Sequence, residues 1–436
     1  MEILNKPIDT FSFKDVVEFC KLGYREGTQI DYKLDLPKDG LARHFTAFSN
    51  TLGGVIIIGV EEDKKTGIPV AWNGVDNDAK RIERIYQWAG DVEPHPLYKV
   101  HATNEENGKI FILVRIYEGD RTPYYVQNNA NIWIRTGNVG NPIDISSPDW
   151  IELLFGKKEK AQLARSNYLN RAREVYESAL SRAEQERVRL TKPEQEQYNE
   201  QNKNIPLSQR EPFQSRYYSH QLGSQAAMCT FVLQPFFPAR ALTEPREIKK
   251  RLNELNHPAS YYNLWNNTEP IPEGVLSFEW NKQTGHIACK QIYATGLLYH
   301  SEDVLNVQAD ESTVSTLTIL ARLFMSFKQA TNFYRLFGYQ GGLQGSLTLY
   351  GVKGALVNPL EWENRMRTFI NGDKRALMSD YSWELTDLDT LLLFDEKAFQ
   401  AYFIELAKRI EWDLGYDDTD DNLVKQFLKA NKWLVT

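Results

Sequence analysis

A continuously apolar run from Val55 to Val60 directly follows the pair Gly53-Gly54. Strand side chains alternate between two faces, so a run without polar positions predicts a central strand that is buried on both faces. The segment before it, from about residue 39 to residue 50, has large apolar side chains at helical spacing. A helix that enters a buried strand through a glycine turn favours a unit in which helices cover a sheet.

The first 145 residues or so are predicted to form one such unit. Helices are expected at about 12–21, 39–50 and 77–89, and strands at about 28–33, 55–60, 97–102, 109–117 and 131–135. This order is mixed rather than a regular βαβ repeat. It predicts a mixed sheet with helices in an α+β chain.

Acidic residues flank the predicted helix and central strand on both sides. Glu26, Asp31 and Lys33 precede the helix, and the run Glu61-Glu62-Asp63 follows the strand. Carboxylates from separate elements repel one another, so a fold that gathers them needs a cation, a metal ion or hydrogen-bond donors to compensate them. The cluster is therefore either a metal site or a structural pairing of Glu26 and Asp31 with Lys33 and Arg25.

The charge of the whole chain limits how it can contact nucleic acid. The 436 residues have a formal net charge of −7, so a nucleic-acid partner would need a local basic stripe. A long helix predicted from Ser147-Pro148-Asp149 to about Leu190 is the most basic segment; its basic residues include Lys157, Lys158, Arg165, Arg173 and Arg182. The main interpretation is a solvated connecting helix with pairs such as Arg182/Glu186, and contact with phosphate or with a dimer partner are the alternatives.

The chain is predicted to have three parts, at residues 1–146, 147–212 and 213–436. Residues 191–210 are rich in Gln, Glu and Asn, which is typical of a linker or an exposed helical extension. The last part is predicted to be an α+β domain with a helix at about 312–337 and strands that include 286–299. It has no phosphate loop, nucleophile elbow or metal-ligand spacing, so we expect it to sense a ligand, dimerise or guide a substrate.

The acidic run Asp417, Asp418, Asp420 and Asp421 is interpreted as a solvated turn, because it lacks the ligand spacing of a calcium loop.

The cysteine pattern and the N-terminus bear on the cellular compartment. Cys20, Cys229 and Cys289 are far apart and have no C-x-x-C spacing, which argues against a disulfide framework and against structural zinc. The chain starts without a signal-peptide pattern and has no apolar run of membrane-spanning length. We therefore expect a cytoplasmic protein that does not span a membrane.

Four motifs in the first part resemble those of the Schlafen-type AlbA-like domain. They are Glu26 to Lys33, Ala47 to Asp63, Pro123-Tyr124, and Trp133-Ile-Arg-Thr-Gly137. They occur in the order of that domain and at sensible spacing over about residues 12–145. The resemblance does not extend to the second half of the chain.

The resemblance implies a specific set of site residues. Schlafen proteins include metal-dependent endoribonucleases that act on transfer RNA and ribosomal RNA through three acidic residues, which here match Glu26, Asp31 and Glu62. These would bind Mg²⁺ or Mn²⁺, with Lys33 stabilising the transition state. Asp31 stands where the nucleases usually have Glu, and Glu62 where they usually have Asp. The shorter side chain of Asp31 and the longer side chain of Glu62 either compensate for each other or displace a metal ligand. Glu61 or Asp63 could substitute for Glu62.

The function implied is binding of nucleic acid, RNA such as tRNA rather than DNA, with cleavage by a bound metal ion and a role in antiviral defence. Backbone phosphates would be contacted by Arg135, Lys157, Lys158 and Arg165, with a structural ion pair as the alternative for Arg135. Schlafen nuclease cores clasp RNA between two related lobes, so a chain with one copy of the motif is expected to form a homodimer. The same domain also occurs in DNA-binding regulators and ATP-binding proteins. A non-enzymatic DNA-binding regulator with a C-terminal sensor is therefore the second hypothesis, and a nucleotide-binding protein is the third.

Two further polar residues are expected to be structural. His44 is interpreted as an ordinary surface or packed histidine, because no cluster of ligands accompanies it. Asn50 is expected to satisfy backbone groups at the end of the predicted helix.

Overall fold

In the computed structural model the chain divides into two compact units, residues 1–164 with 337–342 and residues 165–336 with 343–436. The described residues are 2–5, 8–119, 121–127, 131–137, 139–142, 148–206, 209–210, 213, 215–218, 221–222, 227–236, 241–255, 267–308, 311–339, 341–360, 374–386, 388–416, 419 and 421–430. Ser147, Asp417, Asp418 and Asp420 lie outside these residues, as does the side chain of Lys158. Helices and strands both occur along the chain, which confirms the α+β class.

The first unit combines short strands with helices and ends in the start of a long helix, α5. Its helices are α1 (Glu2–Asn5), α2 (Phe13–Lys21), α3 (Ala42–Asn50), α4 (Ala79–Gly90) and the first part of α5 (Pro148–Gln201). Its strands are β1 (Ile30–Lys33), β2 (Gly54–Ile58), β3 (Glu61–Glu62), β4 (Pro69–Ala71), β5 (Val75–Asp76), β6 (Val92–Glu93), β7 (Tyr98–Ala102), β8 (Lys109–Ile110), β9 (Ile112–Ile116), β10 (Tyr125–Val126), β11 (Asn131–Thr136) and β12 (Val139–Pro142).

Strand β2 is central, as its apolar run predicts. It lies between β1 and β9 in a sheet of order β1-β2-β9-β7, and all its residues are buried. Ile56 and Ile58 face the core under α3, whereas Val55 and Ile57 face the core under α2. Burying each of these side chains contributes about 2 kcal/mol, so both helices are held to the sheet by the same strand. β1 pairs with β2 in parallel, and α3 connects the two.

Asn50 connects the end of α3 to a second sheet, whose order is β12-β11-β10-β6. Its amide donates to the carbonyl oxygens of Tyr124 (2.8 Å) and Trp133 (2.9 Å), and its Oδ1 accepts from the Tyr124 backbone N–H (2.7 Å). These contacts satisfy backbone groups of β11 and of the residue that precedes β10. Asn50 is therefore structural, but it bonds these segments rather than the end of its own helix, as the sequence had suggested.

We expect Asn50→Ala to lower the free energy of unfolding by about 2–4 kcal/mol, because three buried hydrogen bonds of about 1 kcal/mol each are lost and their partners stay buried. Urea denaturation would measure the change. Asn77→Ala is the matched control, since Asn77 donates only to the exposed Glu105. An equal loss in both variants would contradict the role assigned to Asn50.

The second unit is built on one large antiparallel sheet, of order β14-β15-β16-β17-β13-β20-β22. Its strands are β13 (Met228–Pro235), β14 (Thr268–Ile271), β15 (Gly274–Trp280), β16 (Ile287–Tyr293), β17 (Leu298–Asp303), β18 (Leu305–Gln308), β19 (Glu311–Ser315), β20 (Leu343–Tyr350), β21 (Leu356–Asn358) and β22 (Tyr381–Leu385). Its helices are the rest of α5, α6 (Pro245–Lys250), α7 (Leu252–Leu255), α8 (Thr316–Leu336), α9 (Thr390–Phe394), α10 (Glu396–Asp413) and α11 (Asp421–Ala430). Ala172 of α5 packs with Tyr293 and Tyr299, and Phe327 of α8 packs with Phe231.

Two boundaries predicted from the sequence were wrong. The helix expected from residue 312 begins at Thr316, because residues 311–315 form a strand that pairs with residues 356–358. The strand expected over 286–299 is two antiparallel strands, β16 and β17. α5 continues to Gln201, so the first part of the polar segment is the helical extension that the sequence offered as one alternative. Within the described residues, no helix is both long and apolar enough to cross a membrane.

Candidate functional site

The acidic cluster of the first unit, defined as Glu26, Asp31 and Glu62, forms beside the parallel strand pair β1 and β2. Asp31 lies on β1, Glu62 lies on β3 shortly after β2, and Glu26 lies in the loop before β1. The backbone N–H of Tyr32 donates to Glu26 Oε1 (2.8 Å), which holds this loop side chain against the strand. The parallel pairing of β1 and β2 thus brings together acids that lie 36 positions apart in the sequence, residues 26 and 62.

Asp31 is almost completely buried and is surrounded by basic groups. Lys33 Nζ lies 2.7 Å from Asp31 Oδ2, Arg135 Nη1 lies 3.2 Å from Oδ1, and His44 Nδ1 lies 3.5 Å from Oδ2. Lys33 Nζ is close to Oδ2 but badly angled, so Oδ2 has no hydrogen bond of good geometry among the described residues. Burial acts to raise the pKa of Asp31, but His44, Lys33 and Arg135 outweigh it and lower this pKa to about 2.

His44 contributes little positive charge around Asp31 at neutral pH. Burial lowers the pKa of His44 to about 4, against the opposing pull of Asp31, so its imidazole is neutral at pH 7. Lys33 and Arg135 are then the cations that keep Asp31 ionised. A paired, buried carboxylate of this kind stays negative throughout the physiological range.

Arg135 has no exposed side-chain surface. Besides Asp31, its guanidinium donates to the Gly27 carbonyl oxygen (2.8 Å from Nη2 and 3.2 Å from Nε) and lies 4.5 Å from the centre of the Phe48 ring. Guanidinium groups suit such planar, multidentate contacts. This arrangement is the structural ion pair that the sequence left open, and contact of Arg135 with nucleic acid stays a prediction.

Glu26 differs from Asp31 in its protonation. Burial, then the negative charge of Asp31, then hydrogen bonding with Glu62 raise the pKa of Glu26 to about 8. Lys33 Nζ lies 3.7 Å from Glu26 Oε1, too far to offset these effects. Glu26 therefore holds a proton at pH 7 and shares it with its acidic neighbours.

The raised pKa of Glu26 makes stability depend on pH. A raised pKa contributes stability that is fully present below the unfolded value of about 4.5 and is lost as the pH rises through about 8. Glu26→Gln imitates the protonated acid, so its stability relative to the unmodified chain should rise by up to about 1.4 kcal/mol per pH unit in this window. Urea denaturation between pH 5 and pH 9 measures the difference, and a difference that does not change with pH would contradict the protonated state.

The donor set suits a hard divalent cation, because carboxylate oxygens are the ligands that Mg²⁺ and Mn²⁺ prefer. Glu26 contacts both Asp31 and Glu62, although within the described part of the chain no three His, Cys, Asp or Glu side chains are already arranged to hold a metal ion. Glu26 and Glu62 have oxygens left for a cation, whereas Asp31 Oδ1 is occupied by Arg135. A metal ion would thus bind in exchange for the Glu26 proton.

The other acids of the run after β2 have different surroundings. Asp63 Oδ1 accepts from the backbone N–H groups of Lys65 and Thr66 and so closes a turn. The side chain of Glu61 is exposed. Of the run, Glu62 is the residue that contacts Glu26.

Lys157 and Arg165, two of the basic residues predicted to contact phosphate, have partners inside their own units. Lys157 Nζ donates to the Thr51 carbonyl oxygen (2.8 Å) and pairs with Glu118 (2.7 Å), so it caps the end of α3. Arg165 is buried in the second unit, where its guanidinium lies 4.2 Å from the centre of the Phe236 ring. Lys158 cannot be placed, because its side chain lies outside the described residues.

His44 is the site residue that sequence reasoning missed. It was expected to be an ordinary histidine, yet it lies 3.5 Å from the buried carboxylate of Asp31. The usable signal was its place on α3, between the two strands whose parallel pairing forms the site.

Comparison with known proteins gives one family match. Residues 26–144 match the model described as Schlafen, AlbA_2, which confirms the predicted Schlafen-type AlbA-like domain over that part of the chain. The match points to a nucleic-acid-related function for this region. No curated protein matches the chain.

Two solved structures are similar to part of the chain. One is the DIP2311 protein from Corynebacterium diphtheriae, with 20% identity, a TM-score of 0.22, and coverage of 31% of this chain and 26% of that one. The chain thus spans about a quarter of the length of that protein. The other is the N-terminal domain of a putative ATP-dependent DNA helicase RecG-related protein from Nitrosomonas europaea, with 19% identity, a TM-score of 0.24, and coverage of 31% and 94%.

Proposed function

We propose that the region matching the Schlafen AlbA_2 model, residues 26–144, binds nucleic acid, RNA in preference to DNA, and cuts its backbone with a divalent metal ion. The observation that carries this proposal is the contact of Glu26 with both Asp31 and Glu62, together with the raised pKa of Glu26. Carboxylates that share a proton in this way have been brought together against their repulsion. Such strongly perturbed groups cluster at functional sites.

Each residue of the site has a separate proposed role. Glu26, Asp31 and Glu62 would hold Mg²⁺ or Mn²⁺, which when bound neutralises phosphate oxygens and activates water. Lys33 is partly exposed, and its ammonium lies beside both Asp31 and Glu26. It can therefore donate to a phosphate oxygen whose negative charge grows as the backbone is cut. Arg135 keeps Asp31 in place from inside the fold.

Metal binding should depend on pH because it displaces a proton. Between about pH 5 and pH 8, the affinity for Mn²⁺ is expected to rise about tenfold per pH unit, and each ion bound should release about one proton. Calorimetry in two buffers of different ionisation enthalpy measures both quantities. Glu26→Gln should bind Mn²⁺ weakly and without proton release; proton release that persists in this variant would assign the proton to another group.

A non-enzymatic nucleic-acid-binding protein, for example a DNA-binding regulator with a C-terminal sensor, is the second candidate. The observation that favours it is the charge balance of the site. When Glu26 is protonated, Lys33 and Arg135 match the charges of Asp31 and Glu62, so the cluster is neutral without any metal ion.

A cleavage assay separates the two candidates. Transfer RNA, single-stranded DNA and double-stranded DNA are incubated with the full chain and Mn²⁺, and binding is followed in parallel. The nuclease proposal expects RNA to be cut and cutting to need Glu26. Binding without cutting of any substrate would favour the regulator, and stronger binding to duplex DNA would overturn the preference for RNA.

We further propose that two copies of the chain act together, because one copy of the motif supplies one lobe of an RNA clasp. An antiviral role is proposed for this dimer. Sedimentation with and without transfer RNA tests the dimer. A chain that stays monomeric while it cuts RNA would overturn it.

A further inference from the structure

A small cavity in the second unit lies between the large sheet and helix α8. Its volume is about 30 Å³, and its lining includes Lys290, His300, Glu302, Arg322, Ser326 and Gln329. Lys290 and His300 are register partners on β16 and β17, so they lie on the same face of the sheet. Residues 322, 326 and 329 recur at helical spacing, so they lie on the same face of α8.

Lys290 brings to this cavity an ammonium group that has no direct ion pair among the described residues. Among the described residues it has no hydrogen bond and no ion pair, whereas the neighbouring Glu302 pairs with Arg322 at 2.8 Å. Burial lowers the pKa of Lys290 to about 8; Glu302, Glu279 and Cys289 oppose this effect, and Arg322 adds to it. Lys290 is still mostly protonated at pH 7, so the cavity has a net positive charge.

Gln329 adds a second donor without a partner. Its side chain is 1% exposed, and its amide Nε2 has no hydrogen-bond partner within the part of the chain that is described. An unpaired amide donor is costly to bury, which is why most such groups in folded proteins have a partner. An acceptor that enters the cavity would satisfy this group.

We propose that this cavity binds a single phosphate group. The ammonium of Lys290 supplies the charge and the amide of Gln329 supplies a further donor, which suits an anion with several acceptor oxygens; the Ser326 hydroxyl is already hydrogen-bonded to His300 Nδ1 (2.9 Å). A volume of about 30 Å³ has no room for a base or a sugar. The phosphate is therefore either free inorganic phosphate or the terminal phosphate of a nucleotide whose remainder stays outside.

Calorimetry with the full chain tests the proposal, with inorganic phosphate as the probe and sodium chloride of equal ionic strength as the reference. Phosphate should bind, and Lys290→Gln should weaken the binding at least about tenfold. Lys328→Gln is the matched control, because Lys328 is also a partly buried lysine of this unit but lies against Phe324 and Phe399. ATP as a second probe identifies the source: tighter binding of ATP than of phosphate indicates a nucleotide, and the reverse indicates free phosphate.

Gln329→Leu keeps the proposal testable if Lys290→Gln fails to fold. Leucine fills similar space without a donor, so this variant should melt at a higher temperature than the unmodified chain in phosphate-free buffer and should lose the phosphate response. Binding of phosphate no stronger than that of chloride would overturn the proposal. So would unchanged phosphate affinity in Gln329→Leu, whatever the result with nucleic acid at the first unit.

Discussion

Glu26→Gln should reduce RNA cleavage by about 10²-fold or more while leaving the fold intact at neutral pH. Glutamine keeps the shape of the protonated acid and can accept the Tyr32 N–H, but it cannot lose a proton to a metal ion. Cleavage of transfer RNA in the presence of Mn²⁺ measures the loss, and urea denaturation at pH 7 confirms the fold.

The matched control is Glu61→Gln, which removes the same charge next to the site. Glu61 is exposed and lies on the same short strand as Glu62. We expect its cleavage rate to stay within about twofold of the unmodified chain, because a surface charge has little influence across water at physiological salt. Equal losses in both variants would indicate a general charge effect and would contradict a metal-binding role for Glu26.

Arg135→Met should lower the free energy of unfolding by about 3–5 kcal/mol, the largest stability effect expected in the first unit. Methionine fills much of the space and can still pack on Phe48, but it leaves the carboxylate of Asp31 buried with one counter-charge fewer. The hydrogen bonds to the Gly27 carbonyl oxygen are lost as well. Urea denaturation at pH 7 measures the change.

Lys109→Met provides the comparison for a surface pair. Lys109 lies 2.7 Å from Asp76, but both side chains are substantially exposed, so its replacement should cost at most about 1 kcal/mol. If Arg135→Met were as stable as Lys109→Met and bound RNA more weakly, Arg135 would be a phosphate contact rather than the internal partner of Asp31.

The sequence predicted those features of the site that depend on local pattern. The apolar run of β2 has one stable environment, a buried central strand, and the acids on either side of it follow from chain order. The environments of these acids could not be predicted in the same way. Arg135 reaches Asp31 across 104 residues, and such a pairing is decided by the packing of complete sheets.

The same limit explains the errors in the second unit and along α5. Residues 311–315 are extended because they form a hairpin with β18 and also pair with β21, a segment far along the chain that no local window includes. Arg182 was expected to pair with Glu186 on its own helix but contacts Glu269, while Glu186 pairs with Lys282. Helical spacing showed which charged residues of α5 could pair with each other. In the structure these residues pair with charged residues of the adjacent sheet and its turns.

The position of Arg135 in the chain also matters during synthesis. Asp31, Lys33 and Glu62 are translated early, whereas the guanidinium that completes their charge balance comes from β11, close to the end of the matched region. A nascent chain that ends before residue 135 lacks this cation, so the pocket around Asp31 cannot close in its final form. The order of translation thus keeps the proposed nuclease centre unfinished until nearly the whole domain has left the ribosome.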